Sequence, residues 1–228
     1  MNGSKQIPKN VGIITDGNGR WAEKRGLSRS EGHTVGIMNM LRIIESAFAL
    51  GAENVVCYSL STENLARPRD ELDHILSLVI KYFDKFVNTL KGLRVCTRIV
   101  GDLELLPENI RESLKRTEDI LSEFDGCKRT LYIAVAYGGR SEIVNAVNRA
   151  VISGQTVTEE SLLRLLCLPI SLDLVIRTGG KRRLSNFFLY QCSYAELYFS
   201  DKLFPDFDSR DLEDAFEWFS NQKRSFGK

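Results

Sequence analysis

A short stretch of the chain combines residue types that could bind a diphosphate. Residues 11–14 are apolar and predict a buried strand, and Asp16 follows that run after one threonine. Gly17 and Gly19 allow a sharp turn and the close approach of a ligand, and Arg20 is a permanent cation with a fork of donors. Because a carboxylate beside such a turn repels a phosphate, the pattern predicts a divalent cation between Asp16 and the anion. A strand, a turn and a solvated ion pair is the alternative that these residues alone leave open.

The composition narrows the class of protein. The chain has 228 residues, of which 43% are hydrophobic and 27% charged, and we predict a single domain over residues 1–228. A formal net charge of +1 argues against a nucleic-acid partner that is bound through bulk positive charge. No apolar run approaches the length that spans a bilayer, although a lipid substrate stays compatible with this composition.

Cysteine usage and the first residues predict a cytoplasmic protein. The five cysteines, at positions 57, 96, 127, 167 and 192, are widely spaced and form no C-x-x-C pair. Reduced thiols are the simplest interpretation of that pattern. Residues 1–10 are polar and contain no apolar signal core.

Apolar runs alternate with segments of helical periodicity along the chain. The pattern predicts strands over residues 11–14, 54–59, 94–100, 130–137, 172–176 and 196–199. It predicts helices over residues 36–50 and 70–91, and further helices after Pro107, Arg140, Thr158 and Asp208. This alternation favours an α/β fold in which a mainly parallel β-sheet is flanked by helices.

Four polar clusters directly follow predicted strands. They cover residues 16–20, 61–67, 138–140 and 177–180. In parallel α/β sheets, ligands bind beyond the carboxyl ends of the strands. The clusters therefore predict one shared rim that is lined by Arg, Gly, Asn and Ser, as is typical of an anion-binding active site.

A dinucleotide site is an alternative that the spacing formally allows. Gly17, Gly19 and Ala22 fit the pattern G-x-G-x-x-G/A after a strand. That pattern requires an acidic residue at the end of the second strand, and Glu63 lies well beyond the usual distance. Asp16 would also repel a pyrophosphate that carries no metal, so we disfavour this alternative. The chain also lacks the P-loop sequence of nucleotidases.

Seven motifs together carry a family resemblance. They cover residues 16–22, 32–33, 61–68, 137–140, 177–180, 183–186 and 194–199. In these motifs and their order, the chain resembles the cis-prenyltransferases, the undecaprenyl diphosphate synthase family, over nearly its whole length. The resemblance implies a homodimer and the Mg²⁺-dependent elongation of an allylic diphosphate primer by isopentenyl diphosphate. It is also compatible with a peripheral membrane contact through which the product is released.

The resemblance implies catalytic and metal-binding roles for three residues. Asp16 would hold Mg²⁺, with Glu196 as the second metal carboxylate, and Asn64 is the proton acceptor by family convention. Since a carboxamide is a poor base, we expect Asn64 to position the isoprenoid or a water instead. The departing diphosphate or Asp16 is then the more plausible acceptor of the proton.

The resemblance also implies a division of the substrate-binding residues. The allylic diphosphate would lie among Gly17, Asn18, Gly19, Arg20, Arg29 and His33. The diphosphate of the isopentenyl unit would contact Arg177, Arg183 and Ser185, with assistance from Arg67. The remaining members of the set are Trp21, Ser61, Thr62, Glu63, Leu65 and Leu184. Taken singly, His33 could be a hydrogen-bonded core histidine and Trp21 a packing residue.

The long predicted helix would line an apolar tunnel beside the sheet. Its broad apolar face carries Tyr82, Phe83 and Phe86. Such a face suits a growing isoprenoid chain, but spacing alone favours ordinary core packing.

Three positions depart from the family pattern. Lys181 stands where the family usually has Glu, Leu65 where Trp is common, and Ser225 where a terminal Arg-x-Gly begins. Ordinary cis elongation is the expected activity. Irregular, branched coupling of two allylic diphosphates and a non-catalytic partner subunit are the alternatives. The presence of Asp16 and the glycine turn argues against the last alternative, and the absence of an Asp-Asp-x-x-Asp motif argues against a trans-prenyl synthase.

Overall fold

The computed structural model describes residues 6–122 and 127–223, which are built around one sheet of six strands. The strands are β1 (Asn10–Ile14), β2 (Asn54–Ser61), β3 (Cys96–Val100), β4 (Thr130–Tyr137), β5 (Leu174–Arg177) and β6 (Glu196–Phe199). Their spatial order is β3-β4-β2-β1-β5-β6, and every neighbouring pair is parallel. All six carboxyl ends therefore point to the same edge of the sheet.

Eight α-helices occur in the described ranges. They are α1 (Asn18–Glu23), α2 (Arg29–Ala49), α3 (Arg69–Lys81), α4 (Phe83–Gly92), α5 (Glu108–Leu121), α6 (Gly139–Ile152), α7 (Glu159–Leu165) and α8 (Ser209–Ser220). Short 3-10 helices cover Thr62–Ala66, Leu103–Leu105 and Phe204–Asp206. Within the described ranges, none of the helices combines the length and the apolar character that crossing a bilayer requires.

The sheet separates two apolar cores. Side chains such as Ile13 and Ile133 face the larger core, which helices α2, α3, α4, α5 and α8 complete. Neighbouring side chains, such as Ile14 and Ala134, face the smaller core together with Phe187. Because successive residues of a strand point to opposite faces, a sheet that is covered on both sides has continuous apolar strands. The predicted α/β class with a parallel sheet and flanking helices is confirmed.

Several strand limits differ from the prediction by one or two residues, and the larger differences concern helices. Helix α2 begins at Arg29 rather than at residue 36, because Ser28 and Glu31 form a capping box ahead of the apolar face. The predicted helix over 70–91 is interrupted at Tyr82, whose φ of −104° and ψ of 9° separate α3 from α4. The polar segment after β2 forms the 3-10 helix Thr62–Ala66. Apolar periodicity detects buried faces, so it locates caps and local breaks poorly.

The prediction that all five cysteines are reduced is wrong. Cys96 and Cys127 form a disulfide, whereas Cys57, Cys167 and Cys192 are free. Cys96 opens β3, and its backbone N–H donates to the carbonyl of Arg129 just before β4, at 3.0 Å. Pairing of β3 with β4 thus brings together two residues that lie 31 positions apart in the chain.

Candidate active site

The polar residues predicted to share a rim meet at the carboxyl edge of the sheet. Ile14 at the end of β1 is in register with Tyr58 of β2 and with Arg177 of β5. Ser61 at the end of β2 is in register with Tyr137 of β4. The segments that follow these four strands therefore all begin at the carboxyl edge of the sheet.

The carboxylate of Asp16 lies between two guanidinium groups. Oδ1 accepts from Arg20 and Oδ2 accepts from Arg177, each at 2.9 Å. The Asp16 side chain remains 28% exposed, and its backbone carbonyl accepts from the Thr178 hydroxyl at 2.7 Å. These contacts fix a partly exposed carboxylate where the segments after β1 and β5 meet.

At two positions in the segment after β1, the surrounding atoms leave no room for a side chain, so only glycine fits. Gly17 has a φ of 117°, which residues with a side chain rarely adopt, and a Cβ there would lie 2.9 Å from Cδ2 of Leu203. A Cβ on Gly19 would lie only 2.6 Å from Cζ of Arg29. Glycine at position 19 therefore lets the guanidinium of Arg29 lie directly against the backbone of α1.

A small polar pocket of about 70 Å³ opens beside this segment. Its wall combines one carboxylate with three arginines and one histidine. The lining residues are Thr15, Asp16, Gly17, Asn18, Gly19, Arg20, Arg29, His33 and Arg67. The structure thus brings together all of the residues that were predicted to surround the allylic diphosphate, and it adds Arg67. An excess of fixed cations in a small pocket favours an anionic ligand.

A buried carboxylate that the sequence analysis missed lies behind these cations. Oε2 of Glu71 accepts from Nε of Arg29 at 3.0 Å, and Oε1 accepts from Arg67 at 2.7 Å. Nε2 of His33 lies 3.1 Å from Oε1. Glu71 follows Arg67 by four positions, across the start of α3, and this spacing is the one signal that could have identified it.

The surroundings of Glu71 and His33 shift both of their pKa values downwards. Burial alone would raise the pKa of Glu71, but the hydrogen bond from Arg29 and the charge of Arg67 outweigh it and lower that pKa. Burial and the charge of Arg67 lower the pKa of His33, although Glu71 opposes this shift. The carboxylate is therefore ionised and the imidazole neutral near pH 7.

Arg177 connects Asp16 to a second cluster. It is 4% exposed, and its NH1 group donates to Oγ of Ser185 at 2.7 Å and to the carbonyl of Arg183 at 2.5 Å. Ser185 has a φ of 51°, so the backbone turns sharply there. The side chain of Arg183 is exposed, and Leu184 packs against the smaller core. Arg183 and Ser185, which were predicted to bind the isopentenyl diphosphate, therefore contact the buried Arg177. Arg67, which was predicted to assist them, lies in the polar pocket instead.

The 3-10 helix Thr62–Ala66 bridges the two clusters. Its cap is reciprocal, because Asn64 N–H donates to Oγ of Ser61 at 3.2 Å while Oδ1 of Asn64 accepts from Ser61 N–H at 3.4 Å. Oε1 of Glu63 accepts from Asn186 at 2.9 Å, and the hydroxyl of Thr62 donates to the same carboxylate. The carboxamide oxygen of Asn64 is thus engaged by the backbone. Leu65 packs against the larger core.

Trp21 anchors α1 rather than lining the small pocket. Its indole N–H donates to Asp206 at 2.6 Å, and the guanidinium of Arg25 lies 4.2 Å from the ring centroid. Arg25 also forms an ion pair with Asp206. These contacts hold α1 against the 3-10 helix Phe204–Asp206.

The structure does not bring Glu196 to Asp16 within one chain. Glu196 is the first residue of β6 and is in register with Leu174, which pairs with Val11. It therefore lies at the amino edge of the sheet, whereas Asp16 lies beyond the carboxyl edge. Over residues 6–122 and 127–223, no three His, Cys, Asp or Glu side chains are close enough together to hold a metal ion.

An apolar cavity of about 130 Å³ adjoins the polar pocket. Thr15, Asn18 and His33 line both spaces. Beyond them the wall is mostly apolar and is formed by α2, α3, α4, α5 and the sheet. It includes Ile37, Met40, Ile75, Val79, Tyr82, Phe83, Phe86, Leu114 and Val135. The three aromatic residues predicted to line a tunnel are therefore cavity-lining residues.

The positions that depart from the family pattern lie in different environments. Lys181 is exposed in the segment after β5, and Leu65 is half-buried. Ser225 and its neighbours lie outside the described residues.

Comparisons with known proteins identify the family of this chain. A family model described as "Putative undecaprenyl diphosphate synthase" matches residues 14–227. The chain belongs to this family. It is 42% identical to an isoprenyl transferase of Thermotoga maritima over 97% of each protein, which is consistent with a cis-prenyltransferase enzyme.

Two solved structures share the fold of this cis-prenyltransferase. Lavandulyl diphosphate synthase from Lavandula x intermedia, in complex with dimethylallyl diphosphate, has a TM-score of 0.91 and 34% identity. The match covers 97% of this chain and 99% of that one. A probable undecaprenyl diphosphate synthase from Campylobacter jejuni has a TM-score of 0.84 and 33% identity, over 98% of this chain and 100% of that one.

Proposed function

We propose that this cis-prenyltransferase elongates an allylic diphosphate with isopentenyl diphosphate and releases diphosphate. One observation carries the proposal: a cationic pocket and an apolar cavity adjoin through Thr15, Asn18 and His33. An allylic diphosphate has the same two parts, a charged head and an apolar chain. The shared residues lie where the reacting carbon between head and chain would be placed.

The charge of the pocket suits the difficult step of this reaction. Breaking the allylic C–O bond leaves negative charge on the departing diphosphate. Arg29 and Arg67 are already held by the buried Glu71, so these two cations need little reorganisation when that charge develops. The neutral His33 supplies a further polar contact at the boundary with the apolar cavity.

The residues present fit a magnesium ion that is shared with the substrate. Mg²⁺ is usually bound through one or two carboxylates together with substrate phosphates. Asp16 supplies a partly exposed carboxylate, and Oδ1 of Asn18 is buried without a hydrogen-bond partner among the described residues. When bound, the ion would neutralise the charge of the leaving diphosphate. Within one chain, Glu196 would not reach this ion, because it lies at the opposite edge of the sheet.

Arg177, Arg183 and Ser185 would bind the diphosphate of the isopentenyl unit. Arg177 contacts both Ser185 and Asp16, and this position would bring the second diphosphate beside the first. We assign Asn64 a positioning role, since its carboxamide oxygen caps the 3-10 helix. The departing diphosphate is then the acceptor of the proton that the condensation releases.

The test of the proposed function is product analysis with defined primers. Purified protein is incubated with Mg²⁺, isopentenyl diphosphate and either dimethylallyl or farnesyl diphosphate, and the products are identified by mass spectrometry. We expect products that grow in five-carbon steps. The absence of turnover with every primer would contradict the proposal, and turnover that appears only after another subunit is added would favour a partner subunit.

Irregular coupling is a second candidate because of one comparison. The match to lavandulyl diphosphate synthase has a TM-score of 0.91, and that protein is in complex with dimethylallyl diphosphate. Incubation with dimethylallyl diphosphate alone separates the two reactions. A branched product would favour irregular coupling, whereas a strict requirement for isopentenyl diphosphate would eliminate it.

The proposal further includes that the protein is cytoplasmic and forms a homodimer. It would contact a membrane when it releases its product. Val144, Val151 and Ile152 form an exposed apolar stripe on α6, which suits a second copy of the chain. Light scattering in solution measures the mass, and we expect twice the 25.8 kDa of the chain.

The Cys96–Cys127 disulfide is unusual for a cytoplasmic protein, so thiol titration of protein from freshly lysed cells tests the location.

A further inference from the structure

We propose that Glu71 is a positioning residue that aims Arg29, Arg67 and His33 into the allylic diphosphate pocket. Glu71 does not line the pocket, and its side chain is only 9% exposed. The inference rests on the proposed function, because it assigns a task to a residue beside that site.

Glu71 is one of two carboxylates that hold the guanidinium of Arg29. Its Oε2 atom accepts from Nε of Arg29, while Glu23 accepts from NH1 of the same group at 2.8 Å. The two carboxylates hold the guanidinium at different nitrogens, and the group lies close to Gly19. Without Glu71, one of the two anchors is lost and the long side chain regains rotational freedom.

The second oxygen of Glu71 holds the other two partners together. Oε1 lies 2.7 Å from NH1 of Arg67 and 3.1 Å from Nε2 of His33, and these two nitrogens are themselves 3.2 Å apart. Arg67 and Arg29 both lower the pKa of His33, whereas Glu71 raises it. Because Glu71 contacts both Arg29 and Arg67, its charge offsets the repulsion between these two guanidinium groups.

Glu71 also connects the polar pocket to the wall of the apolar cavity. It lies in the first turn of α3, and Ile75, Leu76 and Val79 of the same helix line the cavity. Arg29 and His33 belong to α2. One buried carboxylate thus joins α3, which lines the apolar cavity, to α2, which lines both the cavity and the polar pocket.

The matched control is Asp73 on the same helix. Asp73 pairs with Arg69 at 3.1 Å, and the side chains of these two residues are 55% and 86% exposed. Glu71→Gln keeps the shape of the side chain and removes its charge, Glu71→Asp keeps the charge and shortens the reach, and Asp73→Asn removes an exposed charge. All variants are first checked by circular dichroism for native secondary structure at the assay temperature.

The experiment measures KM for each substrate and the calorimetric affinity for farnesyl diphosphate with Mg²⁺. For Glu71→Gln we expect KM for the allylic diphosphate to rise by about tenfold or more, while KM for isopentenyl diphosphate changes by less than about twofold. Glu71→Asp should fall between Glu71→Gln and the wild type. Asp73→Asn should match the wild type in every measurement.

The outcomes separate the inference from the proposed function. If the wild-type protein binds no farnesyl diphosphate and turns over no substrate, the proposed function fails. If the wild type is active and Glu71→Gln keeps the same allylic KM, the positioning role is wrong. A parallel rise of both KM values would also overturn it, because general loss of structure does not distinguish one substrate from the other.

Discussion

Two carboxylates at the same rim each hold two arginines, yet they differ in exposure. Asp16 binds Arg20 and Arg177 with its side chain 28% exposed, and Glu71 binds Arg29 and Arg67 with its side chain 9% exposed. Asp16 lines the polar pocket, whereas Glu71 lies behind it. The same ion-pair chemistry therefore occurs once where a ligand can reach it and once where a ligand cannot.

The difference teaches that exposure decides which carboxylate can exchange partners. A ligand or a metal can reach Asp16, so its arginines can pass to a diphosphate while the carboxylate takes up a cation. Glu71 has no such access, and removing it takes away the carboxylate partner of Arg67 and leaves Arg29 with Glu23 alone. Breaking a buried ion pair in this way costs more than the pair itself contributes. We therefore expect substitutions at Asp16 to act on kcat and substitutions at Glu71 to act on the allylic KM.

Asp16→Ala gives the largest expected effect. The exposed carboxylate is the one that can hold Mg²⁺ against the leaving group, so kcat should fall by about 10³-fold or more. Steady-state rates at saturating Mg²⁺ measure the loss, and circular dichroism checks that the fold is intact. Asp16→Asn, which keeps the shape, should be equally impaired. An active Asp16→Ala enzyme would show that the metal assignment is wrong.

Arg177→Ala is expected to have the next largest effect. Arg177 is buried beside Ser185, and a lost charge-assisted hydrogen bond costs about 2 kcal/mol, so KM for isopentenyl diphosphate should rise by about 30-fold. KM for the allylic diphosphate should rise less. Arg182, an exposed neighbour in the chain, provides the control variant Arg182→Ala. Equal changes in both KM values would contradict the division into two diphosphate sites.

Gly32→Ala tests the close packing of α1 against α2 beside the polar pocket. A Cβ on Gly32 of α2 would lie 2.1 Å from the carbonyl oxygen of Asn18, so α1 must move away from α2. We expect a loss of about 1–3 kcal/mol of stability in urea unfolding and a higher allylic KM. Gly92 is the control, because a Cβ there meets nothing within 4 Å and Gly92→Ala should be neutral or stabilising. Unchanged unfolding of Gly32→Ala would contradict the close contact.

His33 gives the smallest effect, seen in the pH dependence of binding. Burial and Arg67 lower its pKa in the free protein, and a bound diphosphate would raise it again, so binding takes up a proton and strengthens as pH falls. Between about pH 8 and pH 6, the ratio of the allylic KM of His33→Gln to that of the wild type should grow by less than about tenfold. A ratio that stays flat or shrinks would show that His33 does not sense the diphosphate.

The residues that surround the site could be predicted because their signals are local. Gly17 and Gly19 identify a turn, and the apolar run before Asp16 identifies the strand that delivers it to the rim. Glu71 could not be identified in the same way, since a carboxylate in the first turn of a helix is typical of an exposed N-terminus. Its burial depends on Arg29 and His33, which come from another helix.

Two further differences between the prediction and the structure also depend on tertiary contacts. Cys96 and Cys127 are joined only because β3 lies beside β4. Glu196 carries the family motif, but the register of β6 on β5 places it at the amino edge of the sheet. Neither the disulfide nor this separation follows from spacing along the chain.

The sequence by itself determined the class of fold, the order of strands and helices along the chain, and the segments that carry polar residues. Those properties depend on periodicity and on turn residues, which act over a few positions. The tertiary structure alone decided that Asp16 faces a pocket between Arg20 and Arg177 and that Glu71 is buried behind it. Asp16 and Arg177 are 161 positions apart, and only the parallel pairing of β1 with β5 brings their charges within 2.9 Å.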